Sequence, residues 1–503
     1  MLKTRRSGVL LHPSSLPGPQ AIGTLGQEAY DFIDWLIEAG QAVWQILPLG
    51  PTGYGDCPYS CYSAFAGNPL LISLEKLVAT GDLQSSKLPA AVPINNHVDF
   101  PAAEKQLNLL RLASLNFYEL STAKRRQKFE QFCRQQAYWL NDYCFFQSMR
   151  ELQQNRGWQQ WPEEVRQREQ QALHKWGMQL QDEIAWHKYL QFVFFEQWFE
   201  LKAYANNKGV EIFGDLPIFV AENSADVWAN RRLFYLDEND QPTLVAGVPP
   251  DYFSKTGQRW GNPLYNWETM IEEDFSWWLA RIRWNLQLFD IVRIDHFRGF
   301  AASWAIPAAE KTAINGSWID VPGEQLFQRL QTEFGELPII AEDLGVITED
   351  VEQLREQFKL PGMKILQFAF DSGPENPYLP HNHRVNSVIY TGTHDNNTTL
   401  AWWRALDSEG KEQVKEYLKR PCRDMPWTLV ETALSSVANL AIIPLQDILS
   451  LDGKSRMNKP GTARGNWQWR NLPNQLNREI TTQLRHVSHL YGRLLCNPTE
   501  TQK

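Results

Sequence analysis

Three short stretches of the 503-residue chain end an apolar, largely β-branched run in charged side chains. IVRIDHFRG (291–299) presents Arg293, Asp295 and His296; PIIAEDLG (338–345) presents Glu342 and Asp343; SVIYTGTHD (387–395) presents His394 and Asp395. Arg293 and Asp295, two apart, share one side of a strand, and taken alone they read equally well as a structural ion pair or a functional one. The threefold repetition favours function. Carboxyls gathered in one place push their pKa values apart and so create an acid and a base. Two carboxyls flanking a glycosidic bond suffice to break it, one protonating the leaving oxygen while the other attacks the sugar or activates water. A third holds sugar hydroxyls and stabilises the positive charge of an oxocarbenium-like transition state.

Strands that end in catalytic groups are the grammar of a (β/α)8 barrel, whose C-terminal face carries the chemistry. Residues 7–49 already read as a βαβ unit, with GVLL, a helical spacing of Ala29, Ile33, Leu36 and Ile37 stopped at Gly40, then VWQILPL. Strands near 8, 43, 211, 291, 339, 363, 387 and 440 predict an α/β fold, a (β/α)8 TIM barrel with helical and loop insertions. Too few residues follow the last strand for a β-sandwich of about 100 residues, so no C-terminal β-domain is expected. Residues 1–503 are read as one catalytic domain with a largely helical insertion at about 73–180. After the second strand comes a long Gly-, Pro- and Tyr-rich loop containing GDCPY. Thr348 is the expected N-cap of a helix beginning at Glu349. The stretch at about 246–267, with Pro249, Pro250, Gly257 and Gly261 as breaks and Tyr252, Phe253, Trp260 and Trp267 as contact groups, reads as a lid loop.

Composition narrows the partners. A net charge of −9 without a long Lys/Arg block disfavours nucleic acid, and no apolar run approaches the ~18 residues of a membrane span. The basic start MLKTRR is followed by an apolar run broken at His12 and Pro13, too short for the core of a signal peptide. Six cysteines without zinc or disulfide spacing point to reduced thiols and a cytoplasmic protein. The 21 tryptophans exceed ordinary usage and suit a protein that stacks flat ligand faces.

Taken together, HPSSLPG, GDCPY, SAFAGNP, GDLPIFV, GVPPDYFSKTGQRWGNP, RIDHFRG, AEDLG, GTHDN and ARGNWQW resemble, in order and over nearly the whole chain, the 4-α-glucanotransferases known as amylomaltases or disproportionating enzymes. The resemblance implies a retaining transferase that moves an α-1,4-glucan segment from a donor maltooligosaccharide to the 4-OH of glucose or another glucan through a covalent glycosyl-enzyme. It implies Asp295 as nucleophile, Glu342 as general acid/base and Asp395 as transition-state stabiliser. Arg293 would keep Asp295 ionised, His394 would bind sugar hydroxyls, Tyr59 would stack beneath the sugar, and Asp215 would sit close by. Tyr252, Phe253 and Trp260 would line the acceptor side with Asn466 facing them. No cofactor or metal is implied. Cys57 stands where the family pattern GDSPY has Ser, and His296 reads equally as a ligand contact or a supporting residue.

Three other readings compete. An α-amylase-like hydrolase would use the same residues with water as acceptor. A metal-dependent barrel enzyme would use the Asp/His and Glu/Asp pairs as ligands. A non-enzymatic glycan-binding barrel would have no need of an acid, a base and a third carboxylate.

Overall fold

The structure is a computed structural model that describes residues 4–90, 95–250 and 254–494. Twelve strands follow in chain order: β1 (Arg6–Leu10), β2 (Val43–Gln45), β3 (Glu211–Pro217), β4 (Leu244–Val248), β5 (Gln258–Pro263), β6 (Ile291–Asp295), β7 (Ala302–Pro307), β8 (Ser317–Asp320), β9 (Ile339–Ala341), β10 (Gly362–Ile365), β11 (Ser387–Tyr390) and β12 (Leu440–Pro444). Eight of them form one parallel sheet in the order β10-β11-β12-β1-β2-β3-β6-β9. Its two end strands meet where the Ala341 N–H donates to the Pro361 carbonyl at 2.9 Å, closing the row into a barrel. These are the eight strands expected from the sequence, in the expected places.

The strands are legible because both their faces are covered. In β6, Ile291, Val292 and Ile294 are at most 3% exposed, the near-continuous apolar run of a strand with helices on one side and barrel interior on the other. Between β2 and β3 lie helices from Leu74–Thr80 to Gln170–Gln179, and then a 27-residue helix, Gln181–Asn207. Thr348 does sit at the N-cap of helix Glu349–Gln357, but its side chain makes no capping bond. Its hydroxyl accepts a hydrogen bond from Arg298 at 2.9 Å instead.

The 246–267 stretch departs from the loop expectation. β4 and β5 pair antiparallel and join β7 and β8 in a second, four-stranded sheet, ordered β5-β4-β7-β8. β5 reads Gln-Arg-Trp-Gly-Asn-Pro, without the alternation of apolar and polar residues that marks a half-buried strand, so tertiary pairing makes this strand and pattern does not. Among the described residues no helix is long and apolar enough to cross a membrane.

The loop after β2 is fixed from below by the long helix. The buried Gln191 amide accepts from the Gly67 N–H at 2.7 Å and donates to the Gly67 carbonyl at 2.9 Å. Gln197 does the same for Ser73, at 2.8 and 3.1 Å. Gly67 is obligatory, since a Cβ there would lie 2.0 Å from the Phe194 ring. Replacing Gln191 by Leu leaves both Gly67 backbone groups buried without partners, at roughly 1–3 kcal/mol each. Gln191→Leu is therefore expected to lower the thermal unfolding midpoint by several degrees, and a midpoint equal to wild type would contradict this account of the loop.

Candidate active site

Register brings the charged residues together. In the β3–β6 ladder Asp215 pairs with Arg293 and Pro217 with Asp295. In the β6–β9 ladder Ile294 pairs with Ala341, and the Glu342 N–H continues the ladder by donating to the Ile294 carbonyl at 3.0 Å. Asp295 and Glu342 therefore leave adjacent strands at the same level, on the C-terminal face of the barrel.

Arg293, 3% exposed, is the hub. Its Nε donates to Asp215 Oδ1 at 3.0 Å, and its Nη2 lies 2.8 Å from Asp215 Oδ2 and 2.7 Å from Asp295 Oδ1. The Tyr59 hydroxyl donates to Asp215 Oδ2 at 2.6 Å. Burial lowers the affinity of the Arg293 guanidinium for its proton, but Asp215, Tyr59 and Asp295 more than offset this and hold it cationic. Burial pushes the Asp295 carboxyl above the usual carboxylate range; Arg293 pulls it back, and Asp215, Glu342 and Asp395 push it up.

Glu342 has no guanidinium in hydrogen-bond contact. Its Oε2 accepts from the His296 N–H at 2.7 Å and its Oε1 from the Leu344 N–H at 3.0 Å. Burial raises this carboxyl to about 7 against the pull of Arg293 and the two peptide N–H groups, with Asp343 adding to the rise. Of the two carboxyls, Asp295 is the one in direct contact with a cation, 2.7 Å from Arg293. His296 is left-handed (φ 54°), which aims its N–H at Glu342 while its ring meets Trp260 edge-on at 4.8 Å. Burial, with Arg298 nearby, pushes that imidazole down to about 4, so it is neutral at pH 7.

Asp395 closes the third side. Asn458 Nδ2 donates to its Oδ1 at 2.6 Å, and Arg456 Nη2 donates to its backbone carbonyl at 2.6 Å. His394 Nε2 is 3.4 Å from the same carboxylate. Burial lowers the His394 imidazole although Asp395 opposes the shift. The His394 ring stacks on Tyr59 (5.1 Å between centroids, 13° between planes), and Trp467 lies 5.9 Å from both.

The structure thus brings Tyr59, Asp215, Arg293, Asp295, Glu342, His394 and Asp395 into one site. Trp260 is on β5, 39% exposed, beside it. Tyr252 and Phe253 lie outside the described residues. Asn466, expected to face the acceptor, spends its side chain within its own loop: Oδ1 accepts from the Lys459 N–H at 3.0 Å and Nδ2 donates to the Thr462 carbonyl at 2.8 Å. Cys57 is half-buried near the site, where burial foremost pushes its thiol up to about 11. Sequence reasoning missed Asn458, Arg456 and Trp467. Only the quoted ARGNWQW contained any of them, and their partners lie more than 60 residues away. Among the described residues no group of three or more His, Cys, Asp or Glu is placed to hold a metal ion.

The Glyco_hydro_77 family, described as 4-alpha-glucanotransferase, matches residues 11–474. The chain belongs to this family. A 4-alpha-glucanotransferase of Synechocystis is 51% identical over 499 residues, covering 98% of this chain and 99% of that protein. One from Thermus thermophilus is 49% identical over 501 residues, covering 97% and 99%. The amylomaltase from Streptococcus agalactiae, solved in complex with acarbose, superposes with a TM-score of 0.94 at 40% identity and covers 97% of this chain and 100% of its own. Members of the family are transferases acting on α-1,4-glucans, and the barrel described above is the fold they share.

The Glu342 environment makes a stability prediction. Because the folded carboxyl binds its proton more tightly than the unfolded one, with a value of about 7 against 4.5, the folded state loses stability as pH rises through that window. Glu342→Gln removes the titration, so its thermal midpoint should gain on wild type between pH 4.5 and pH 8. A difference that does not change with pH would contradict the assignment.

Proposed function

We propose that the chain disproportionates maltooligosaccharides by double displacement. Asp295 attacks the anomeric carbon of the donor as Glu342 gives its proton to the leaving glycosidic oxygen, forming a glycosyl ester and releasing the shortened glucan. Glu342, now a base, takes the proton of an acceptor 4-OH as that oxygen attacks the anomeric carbon, breaking its bond to the Asp295 oxygen and freeing the carboxylate. Asp395, with His394, stabilises the oxocarbenium-like charge through the sugar hydroxyls. The carrying observation is the unequal environment of the two carboxyls, Asp295 against a buried guanidinium at 2.7 Å and Glu342 raised to about 7. The contact with Arg293 supports Asp295 as the nucleophile and the raised carboxyl of Glu342 supports it as the acid. Five free thiols, Cys57, Cys61, Cys133, Cys144 and Cys422, support a reducing, cytoplasmic setting.

Transfer has to win against water at ~55 M, and an acceptor held in an attacking pose can do so, since effective molarities then reach about 10⁵ M or more. Trp260, packed against His296, is the described aromatic best placed to exclude water and stack on the acceptor. Tyr252 and Phe253 are assigned the same task from their place in the sequence.

Incubation with maltotriose should yield glucose and a ladder of longer glucans with little gain in reducing ends, in excess EDTA as in its absence. A steady rise in reducing ends with no product longer than the substrate would leave the hydrolase reading instead, and loss of activity restored by a divalent metal would favour the metal-dependent one. Glu342→Gln should lose roughly 10²–10⁴ in rate while still binding oligosaccharide, and Trp260→Ala should raise the share of hydrolysis more than it slows donor cleavage. A Glu342→Gln enzyme that turns over maltotriose at nearly the wild-type rate would refute the assignment of roles.

A further inference from the structure

We propose that Asp343 is the positioning residue for Glu342: it latches the strand end that carries Glu342 onto the neighbouring strand and supplies a buried negative charge behind it. The proposal rests on the acid/base reading of Glu342 given above.

β9 and β10 are the two ends of the strand order and share no ladder, so the barrel seam falls directly beside Glu342. One backbone bond, Ala341 N–H to the Pro361 carbonyl, crosses the seam. The next crossing bond is made by a side chain, with Asp343 Oδ1 accepting from the Met363 N–H at 2.6 Å. Asp343 takes the place of the missing ladder bond. To reach it the carboxylate passes so close to Gly362 that a Cβ there would lie 2.2 Å from Oδ2. Asp343 is 8% exposed, and its Oδ2 is 3.4 Å from Arg355 Nε on helix Glu349–Gln357.

The latch therefore fixes the peptide between Ala341 and Leu344, and the Leu344 N–H is one of the two donors that hold the Glu342 carboxyl. It also sets the local charge. Glu342 faces Arg293 and Asp295 from β6 and Asp343 from its own segment. Asp343 faces Lys364 from β10, Arg355 from the following helix, and Tyr378, a phenol kept protonated by burial and by these two carboxylates. Burial pushes Asp343 up while Lys364 and Arg355 pull it down. Without the Asp343 charge, Lys364 and Arg355 would stand behind Glu342 with only the more distant Glu352 and Glu356 against them, and its proton would be held less tightly.

The test is the pH profile of kcat/KM on maltotriose for the full chain carrying Asp343→Asn or Gly362→Ala, with the thermal midpoint of each. Asp343→Asn retains an oxygen for the Met363 N–H but not the charge; Gly362→Ala keeps the charge and displaces it. Both are expected to move the alkaline limb to lower pH, by roughly half a unit or more, and to lower kcat with KM nearly unchanged. With α-maltotriosyl fluoride, whose leaving group needs no proton, that limb should be absent in wild type and variants alike. Lowered midpoints with the limb unmoved in both variants would overturn the proposal and leave Asp343 a structural latch only. If one variant fails to fold, the other decides. A limb and rate unchanged in Glu342→Gln would instead overturn the acid/base reading itself, independently of Asp343.

Discussion

The guanidinium of Arg293, sealed beneath the barrel mouth, sits between Asp215 and Asp295 at 2.8 and 2.7 Å. A buried cation with two carboxylates is stable only while all three are present, since removing one partner of such a group typically costs ~3–5 kcal/mol. The arrangement also divides labour between the two carboxyls of the site. Asp295 touches the cation directly, whereas the hydrogen bonds to the Glu342 carboxyl among the described residues come from the peptide N–H groups of His296 and Leu344. The rest of the structure serves this division. Strand register sets Asp215 beside Arg293, the long helix fixes the loop that brings Tyr59 onto Asp215, and the left-handed turn at His296 presents an N–H to Glu342.

The aromatic surroundings act on the same site from two sides. Tyr59, His394 and Trp467 form a cluster against Asp395, while Trp260 reaches His296 from the second sheet. His296 carries both the ring that Trp260 touches and the N–H that Glu342 accepts, so Trp260 and Glu342 are joined through one residue.

How much of this was legible in the sequence follows from where each interaction lives. The eight barrel strands were legible because a strand covered on both faces must be a nearly unbroken apolar run, as IVRID and SVIY are. The charged strand ends stood out because the same ending recurs on three separate strands, which structural ion pairs do not require. The four-stranded sheet was not, since β5 and β8 are polar and half exposed and owe their form to pairing with β4 and β7. Asn458 and Arg456 were equally hidden, because an ordinary Asn and Arg become significant only when the fold returns their loop to Asp395. Asn466 stands in a matched motif, yet its hydrogen bonds close its own loop.

The account is tested most directly by the peptide that contains residue 295 in the Glu342→Gln variant after incubation with α-maltotriosyl fluoride. Fluoride leaves without a proton, while the missing base slows the second displacement, so the ester should accumulate. The account predicts a maltotriosyl group on Asp295, found by mass spectrometry and absent when Asp295 is also changed to Asn. An unmodified peptide while fluoride is released and transfer products form, or a label on Asp395 or Asp215 instead, would contradict it.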